Sequence, residues 1–441
     1  MVNIMIETTW SDYIEASFPK LEKDLECDVL VIGGGICGIL CAYYLKKEGK
    51  KVILLEADKI CRKKSLKTTA TITAIEDLMY YELINELGME KAKLYLEANL
   101  FALNEYRKLA TEFDFDFEEC PSYKYSKTNS GEIELEVAAI KALGYVCNIK
   151  EEIDFPIKIS KALELENQGQ MNPLKLVNNL IKDLEIYENS RVIKIKNNKA
   201  YTSDFNVSFN NVVVATGFPF LRFKGLYFMK MHQEKSHVIE VFDEFKTKGN
   251  GVGTHDDDLY FRNYKDSILI GSSDAKTGYD CEGFDRIYKF IIEKYNVKKI
   301  KCRWINIDCM TLDGLPYIGL YCGSDEDIFV ATGFNMWGMT KSMISAHLIC
   351  DLIDGRKNKY EELFSPSRKM LKKPLFNNIC NATKSLLTFG RKRCKHLGCA
   401  LHYNPIDETY ECRCHGSKYD KDGNIVETPT QKPIEFKKKH N

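Results

Sequence analysis

The sequence predicts an α/β protein in three parts: a parallel sheet covered by helices, an antiparallel layer inserted into it, and a small cysteine-rich β module at the C-terminus. Three observations predict this. Two near-continuous apolar stretches, CDVLVIG (27–33) and KVILLE (51–56), flank a helical segment from Ile36 to Lys47. Strands that lack alternation suit a parallel sheet buried on both faces. LYFMKMHQEKSHVIEVF (226–242) and LYFRNYKDSILIGSS (259–273) alternate as antiparallel strands do. After residue 355 the composition changes: 19 basic and 9 acidic residues give a net of +10, against 44 and 54, a net of −10, before it.

The 441 residues exceed what one hydrophobic core holds, so two or three domains are expected. Equal numbers of basic and acidic side chains, 63 each, argue against nucleic acid as the main partner. An apolar fraction of 44% excludes a disordered chain. The longest apolar run, Val29 to Leu45, carries three consecutive glycines and falls short of a bilayer span, so no integral membrane segment is expected. The N-terminus, MVNIMIETTWSDY, has neither the basic nor the apolar region of a secretory signal. The 16 cysteines therefore read as reduced thiols or metal ligands in a cytoplasmic protein. Eleven are scattered from Cys27 to Cys350 and Cys380 stands alone, while Cys394, Cys399, Cys412 and Cys414 crowd one short stretch.

Taken in order, the first strand ends in Gly33, Gly35 and Gly38, a G-x-G-x-x-G between strand and helix. Gly33 permits the tight turn, Gly35 lets a pyrophosphate approach the backbone, and Gly38 lets helix and strand pack closely. The helix N-terminus then offers N–H groups to phosphates. Glu56 ends the second strand, where a carboxylate reaches ribose hydroxyls and disfavours a 2′-phosphate. A polar stretch, CRKKSLKTTATITA (61–74), precedes helical patterning from about Glu76 to Phe113 and a mixed region over 120–165. NVVVATG (211–217) and DIFVATG (327–333) are two more buried strands ending in glycine, and a last helix runs to about Ile353.

From Asp28 to Ile353 these motifs resemble the D-amino-acid-oxidase-like (glycine/sarcosine oxidase) superfamily of FAD-dependent oxidoreductases. The resemblance rests on VIGGGICG with Glu56, TTATIT (68–73), VVVATG (212–217), DGLPYIG (313–319) and VATGFNMWGMT (330–340). It implies a Rossmann-like FAD-binding domain over about 27–75, 166–220 and 300–355, and an antiparallel-sheet substrate domain over about 76–165 and 221–299. By that resemblance Thr68, Thr69 and Ala70 touch the cofactor, Gly217 lies beside it, and Gly333, Phe334, Gly338 and Met339 lie near the flavin ring. It further implies non-covalent FAD.

Beyond a linker over 356–385, the segment 386–441 places Cys394-x-His396, fifteen residues, then Cys412-x-x-His415. Two thiolates suit one iron and two imidazoles the other, the ligand set of a Rieske [2Fe–2S] centre. Spacing alone also admits tetrahedral zinc, which stays open here. The segment resembles the Rieske cluster-binding fold, shortened at its start. That resemblance implies Cys394, His396, Cys412 and His415 as ligands, a disulfide between Cys399 and Cys414, and Ser417 and Tyr419 as hydroxyl donors to cluster sulfur. Arg413 stands where proline is usual. Flavin oxidoreductases with such a C-terminal module form a bacterial group that this chain resembles over nearly its whole length, including ENQGQMNPLKL (166–176) and MHQEKSHVIE (231–240).

The resemblance implies oxidation of an amino-acid or amine C–N bond by hydride transfer to flavin, which needs a positioned neutral amine more than a base. Electrons would pass to the Rieske-type cluster and then to a protein acceptor; the basic C-terminal part suits an acidic carrier of ferredoxin or flavodoxin type. Arg262 is the candidate clamp for a substrate carboxylate, since its planar fork suits that group, and Trp337 is a candidate pocket wall. Two other readings stay open: a flavin oxidase whose module binds zinc or nothing, and a non-catalytic redox sensor or electron-transfer flavoprotein.

Overall fold

The computed structural model describes residues 8–13, 16–128, 131–221, 225–255, 258–279, 281–322, 327–369, 386–388, 392–405 and 408–435. Most of the expected linker, Cys380 included, lies outside the described residues.

The first apolar stretch forms the strand Leu25–Ile32, with Val29, Leu30 and Val31 wholly buried. It pairs in parallel with Val52–Leu55 on one side and Asn206–Gly217 on the other. Ile328–Thr332 and Glu185–Tyr187 extend the parallel order outward, and the antiparallel edge strand Tyr317–Leu320 closes one side. Helices Ile36–Lys47 and Gly338–Ile353 cover one face and share a continuous apolar core. The helical pattern after Glu76 becomes two helices, Tyr80–Leu87 and Met89–Glu112. Gly88 separates them at φ +86, which ends the first.

The second sheet has nine strands, in the spatial order Ile300–Thr311, Met231–Phe242, Ser267–Lys276, Leu259–Tyr264, Asn250–Gly253, Glu118–Ser126, Lys161–Gln170 and Thr71–Ile72, with Asn148–Lys150 beside Lys161–Gln170. It is antiparallel except where Asn250–Gly253 runs parallel to Glu118–Ser126. Thr71–Ile72, Lys161–Gln170 and Ile300–Thr311 thus pair in this sheet, although most of their residues fall in segments expected beside the parallel one. Ile300–Thr311 alternates its burial with a shift of phase at Asn306 and Ile307, and Asn306, Asp308 and Cys309 reach a cavity.

The C-terminal module is a four-stranded meander, Leu401–Asn404, Thr409–Cys412, Lys418–Tyr419 and Ile425–Glu427. Its own core is small: Cys394, Cys399, Leu401, Cys412, Cys414, Tyr419 and Ile434.

Candidate functional site

The carboxyl ends of the parallel strands open into a cavity. Its wall includes Gly33, Gly35, Glu56, Thr68, Gly217, Gly333, Phe334, Gly338 and Met339. Gly33 sits at φ +113, and a Cβ there would lie 2.5 Å from the Ala215 carbonyl oxygen. Gly38 lies behind the wall: its Cβ would stand 1.9 Å from the Gly33 oxygen, so the helix packs on the strand only with glycine. Glu56 accepts hydrogen bonds from the Gly34 and Asp58 N–H groups at 2.7 and 2.9 Å, fixing the glycine loop. Ser342 Oγ and Asn306 Oδ1, both from wall residues, are buried without a hydrogen-bond partner among the described residues, leaving polar atoms that a bound cofactor would satisfy. Asn335 and Met336 follow Gly333 at φ +49 and +70, an uncommon conformation for non-glycine residues. The Asn335 side chain pins this turn by accepting from Thr311 N at 2.7 Å and donating to the Gly314 oxygen at 2.8 Å.

A second cavity adjoins the first and shares Thr68, Asn306, Asp308, Met336, Gly338 and Met339 with it. Trp337, Tyr260, Phe261 and Val252 give it an apolar side, and Thr69, Lys67 and Asp77 also line it. Burial pushes the Asp308 carboxyl up to about 6, against the pull of Lys64, with Glu427 and Glu234 adding to the rise. Burial likewise lowers the Lys67 ammonium, and among the described residues no carboxylate lies within ion-pair distance of it. Packing around Asp77 works to raise its carboxyl although the side chain is open to solvent, but Lys124 at 2.9 Å and a hydrogen bond from Trp337 outweigh that and hold it below its ordinary range.

Arg262 does not line either cavity. It is 1% exposed, and its guanidinium donates to the main-chain oxygens of Thr69 and of Met171, the latter at 2.8 Å, against the Trp10 and Tyr264 rings. The expected carboxylate clamp is instead a strut that ties the 68–70 loop to residue 171. Ala70 is buried at φ +57, held by Thr68 Oγ1 at 3.0 Å. Beneath the last helix, Lys341 and Glu76 form a buried ion pair at 2.5 Å, completed by Asn99 at 2.6 Å and the Tyr95 hydroxyl at 2.6 Å.

In the C-terminal module, two loops of like construction face each other. The Gly398 N–H bonds the Cys394 oxygen and the Gly416 N–H bonds the Cys412 oxygen, each at 2.9 Å, with the two glycines at φ +82 and +81. Between the loops, Cys394, His396, Cys412 and His415 are all buried, and the two imidazoles stand 5.0 Å apart at right angles. The His415 ring hydrogen-bonds the Phe228 main chain, while its Nδ1 is buried with no partner. That is the arrangement of a metal-binding histidine, one nitrogen oriented by a carbonyl and the other free for the metal. Burial lowers His415 to about 4, so the ring is neutral, as a ligand must be. A hydrogen bond from Cys412 lowers the Cys394 thiol to about 6, with Ser417 and Tyr419 contributing. The Tyr419 hydroxyl lies 3.6 Å from Cys394 Sγ. The sulfur atoms of Cys399, Cys412 and Cys414 lie within 4.8 Å of one another. The donor set and the hydroxyls around the sulfurs fit a [2Fe–2S] centre.

The module is docked on the body through buried charge. Glu411 and Lys235, both fully buried, pair at 3.3 Å, and Glu411 also accepts from the Gly278 N–H at 2.8 Å. Arg413 donates to the Gly278 oxygen at 2.6 Å and lies over the Tyr279 ring. A Cβ at Gly416 would lie 2.4 Å from Gln233, so that glycine allows the close approach. The two imidazoles consequently meet the body: His396 against Phe218 and His415 against Phe228, with ring centres 6.4 and 5.8 Å apart. Glu427, Thr428, Pro429 and Gln431 of the module line the first cavity.

Residues 28–352 match the FAD dependent oxidoreductase family. The chain belongs to that family. As an FAD-dependent oxidoreductase it uses FAD, and residues 374–437 match the Rieske [2Fe-2S] domain, which adds an iron–sulfur cluster. It is 29% identical to the putative Rieske 2Fe-2S iron-sulfur protein YhfW of Bacillus subtilis, over 97% of each chain. The module alone is 43% identical over 43 residues to the cytochrome b6-f complex iron-sulfur subunit 2 of Trichormus variabilis, 10% of this chain and 24% of that one. In fold, the chain is similar to glycine oxidase from Bacillus cereus (TM-score 0.63, 18% identity, 78% of this chain and 100% of that one). It is equally similar to L-amino acid deaminase from Proteus vulgaris (TM-score 0.64, 18% identity, 81% and 97%). No helix among the described residues is long and apolar enough to cross a membrane.

Asp308, Lys67, Asn335 and the 427–431 wall were not singled out by sequence reasoning. Lys67 and Asn335 lie inside motifs that were. Arg413 stands out in the sequence only as a departure from the usual proline, and its docking contact is visible only in the structure.

Proposed function

We propose that the protein oxidises the C–N bond of an amino acid or amine and passes the electrons through its C-terminal centre to a protein acceptor. The observation that carries this reading is the docking of the module, with both imidazoles turned onto the body and residues 427–431 in the cavity wall. When bound, FAD supplies a hydride acceptor and the [2Fe–2S] centre a one-electron site. The second cavity holds the substrate beside the first. Trp337, Tyr260 and Phe261 exclude water from it, and Lys67 takes the substrate carboxylate that Arg262 is not placed to meet. Asp308, at the junction of the two cavities, accepts the ammonium proton; the C–H bond then breaks, the hydride leaves carbon and a C=N bond forms. A side chain poised near 6 suits that task at neutral pH.

The positive charge of the C-terminal part, with exposed Lys395, Lys421 and Lys432 on the module, favours an acidic carrier of ferredoxin or flavodoxin type. A cytoplasmic location suits the thiol-rich body. Cys399 and Cys414 are unbridged in this structure, and oxidation to a bridge would tie the two ligand loops together. The test is anaerobic incubation with a panel of amino acids and amines, reading flavin bleaching and the EPR spectrum together. A substrate that bleaches the flavin is expected to bring up the cluster signal; bleaching with a silent cluster removes the relay.

A further inference from the structure

The module is already held by the buried Glu411–Lys235 pair and by Arg413 on Gly278. A second charged contact lies elsewhere, at the cavity. Glu427 ends the last module strand, is 7% exposed, and meets Lys64 Nζ at 3.4 Å. Lys64 Nζ also donates to the Ile307 oxygen at 2.6 Å, and its side chain crosses Gly217, where a Cβ would be 3.1 Å from Cε. Lys64, Glu427, Gly217 and Asp308 all belong to the wall of the first cavity. Thr428 fixes the carboxylate through its N–H and hydroxyl, each 3.2 Å from Oε1.

We propose that Glu427, a residue of the C-terminal module, is a positioning residue of the FAD site, acting through Lys64. The carboxylate holds the ammonium against strand Ile300–Thr311 and keeps the lysine side chain laid across Gly217, so the wall that meets FAD is complete only with the module docked. In this arrangement the module serves its neighbour's cofactor as well as its own. The inference rests on the cavity being the FAD site.

The test uses the full chain carrying both cofactors and reads the FAD dissociation rate from the rise of flavin fluorescence on dilution, with iron per chain measured in the same sample. Glu427→Gln and Lys64→Met are each expected to speed FAD release about tenfold, and the double variant no more than either alone, as residues acting through one contact behave. Glu427→Asp should recover part of the loss, and Asp422→Asn, an exposed module change, should release FAD like the unaltered protein. Release within twofold of the unaltered protein in Glu427→Gln with iron retained overturns the proposal, as does strict additivity in the double variant. If Glu427→Gln also sheds its iron, Lys64→Met decides, because Lys64 belongs to the body: normal FAD release there overturns the proposal. An unaltered protein that purifies with iron and never binds FAD instead overturns the assignment of the cavity.

Discussion

The body and the C-terminal module solve one problem, holding a redox group, by different physical means. In the body, the site is a cavity at the ends of parallel strands, made by what is missing: glycines at 33, 35 and 217 let backbone and ligand approach. Its walls stay in place because a large core lies behind them. Among its described residues the module has a buried core of seven side chains, four of them cysteines, so its ligands are part of its own packing. A domain this small draws folding energy from its metal, whereas the body does not depend on its cofactor in that way.

The comparison is broken most sharply by Cys412→Ser. Iron is expected to fall from about two per chain to none while the body's melting transition stays unchanged, and FAD release quickens as the module that carries Glu427 loses its fold; loss of the body's own transition would show that the body cannot stand without the module's fold. Next in size is Lys341→Met, which leaves Glu76 buried and unpaired. Such a change costs about 3–5 kcal/mol, read as a lower urea midpoint for the body with the cluster EPR signal intact.

These two variants also mark what was legible in the sequence. Glycine triplets, Glu56 and the Cys-x-His spacing are local patterns, and each sits where the chain's own order places it. Arg262 was misread because a strand position shows which residue is buried but not which carbonyls it meets; the oxygens of Thr69 and Met171 come from distant segments. Asp308 was invisible for a related reason. Nothing local distinguishes INIDCM from any other strand, and its carboxyl is raised by burial that only the fold creates, opposed by Lys64 and assisted by Glu427, one from each side of the docking interface. The pattern of the docking face, Glu411 on Lys235, is likewise a pairing across 176 positions of chain.

Two smaller effects sharpen the account within the body. Asp308→Asn should lower substrate-driven flavin reduction about 100-fold. In the unaltered protein that rate should rise as pH increases through about 6, because the carboxyl must be ionised to take the proton; a flat profile removes Asp308 from that role. Lys67→Met should raise KM about tenfold for a carboxylate substrate and leave an amine without one unaffected, measured as a ratio of the two substrates. Neither change should alter iron content.

The central claim is that the docked cluster is the electron partner of the flavin. The direct measurement is to reduce the flavin of the intact protein anaerobically with light and EDTA, then follow flavin absorbance and the low-temperature EPR spectrum in the dark. The account predicts that a Rieske-type signal grows as the reduced flavin gives up one of its two electrons, the second staying on the flavin, with about two irons per chain. Flavin that stays reduced beside an intact but EPR-silent cluster, or zinc in place of iron, would contradict it.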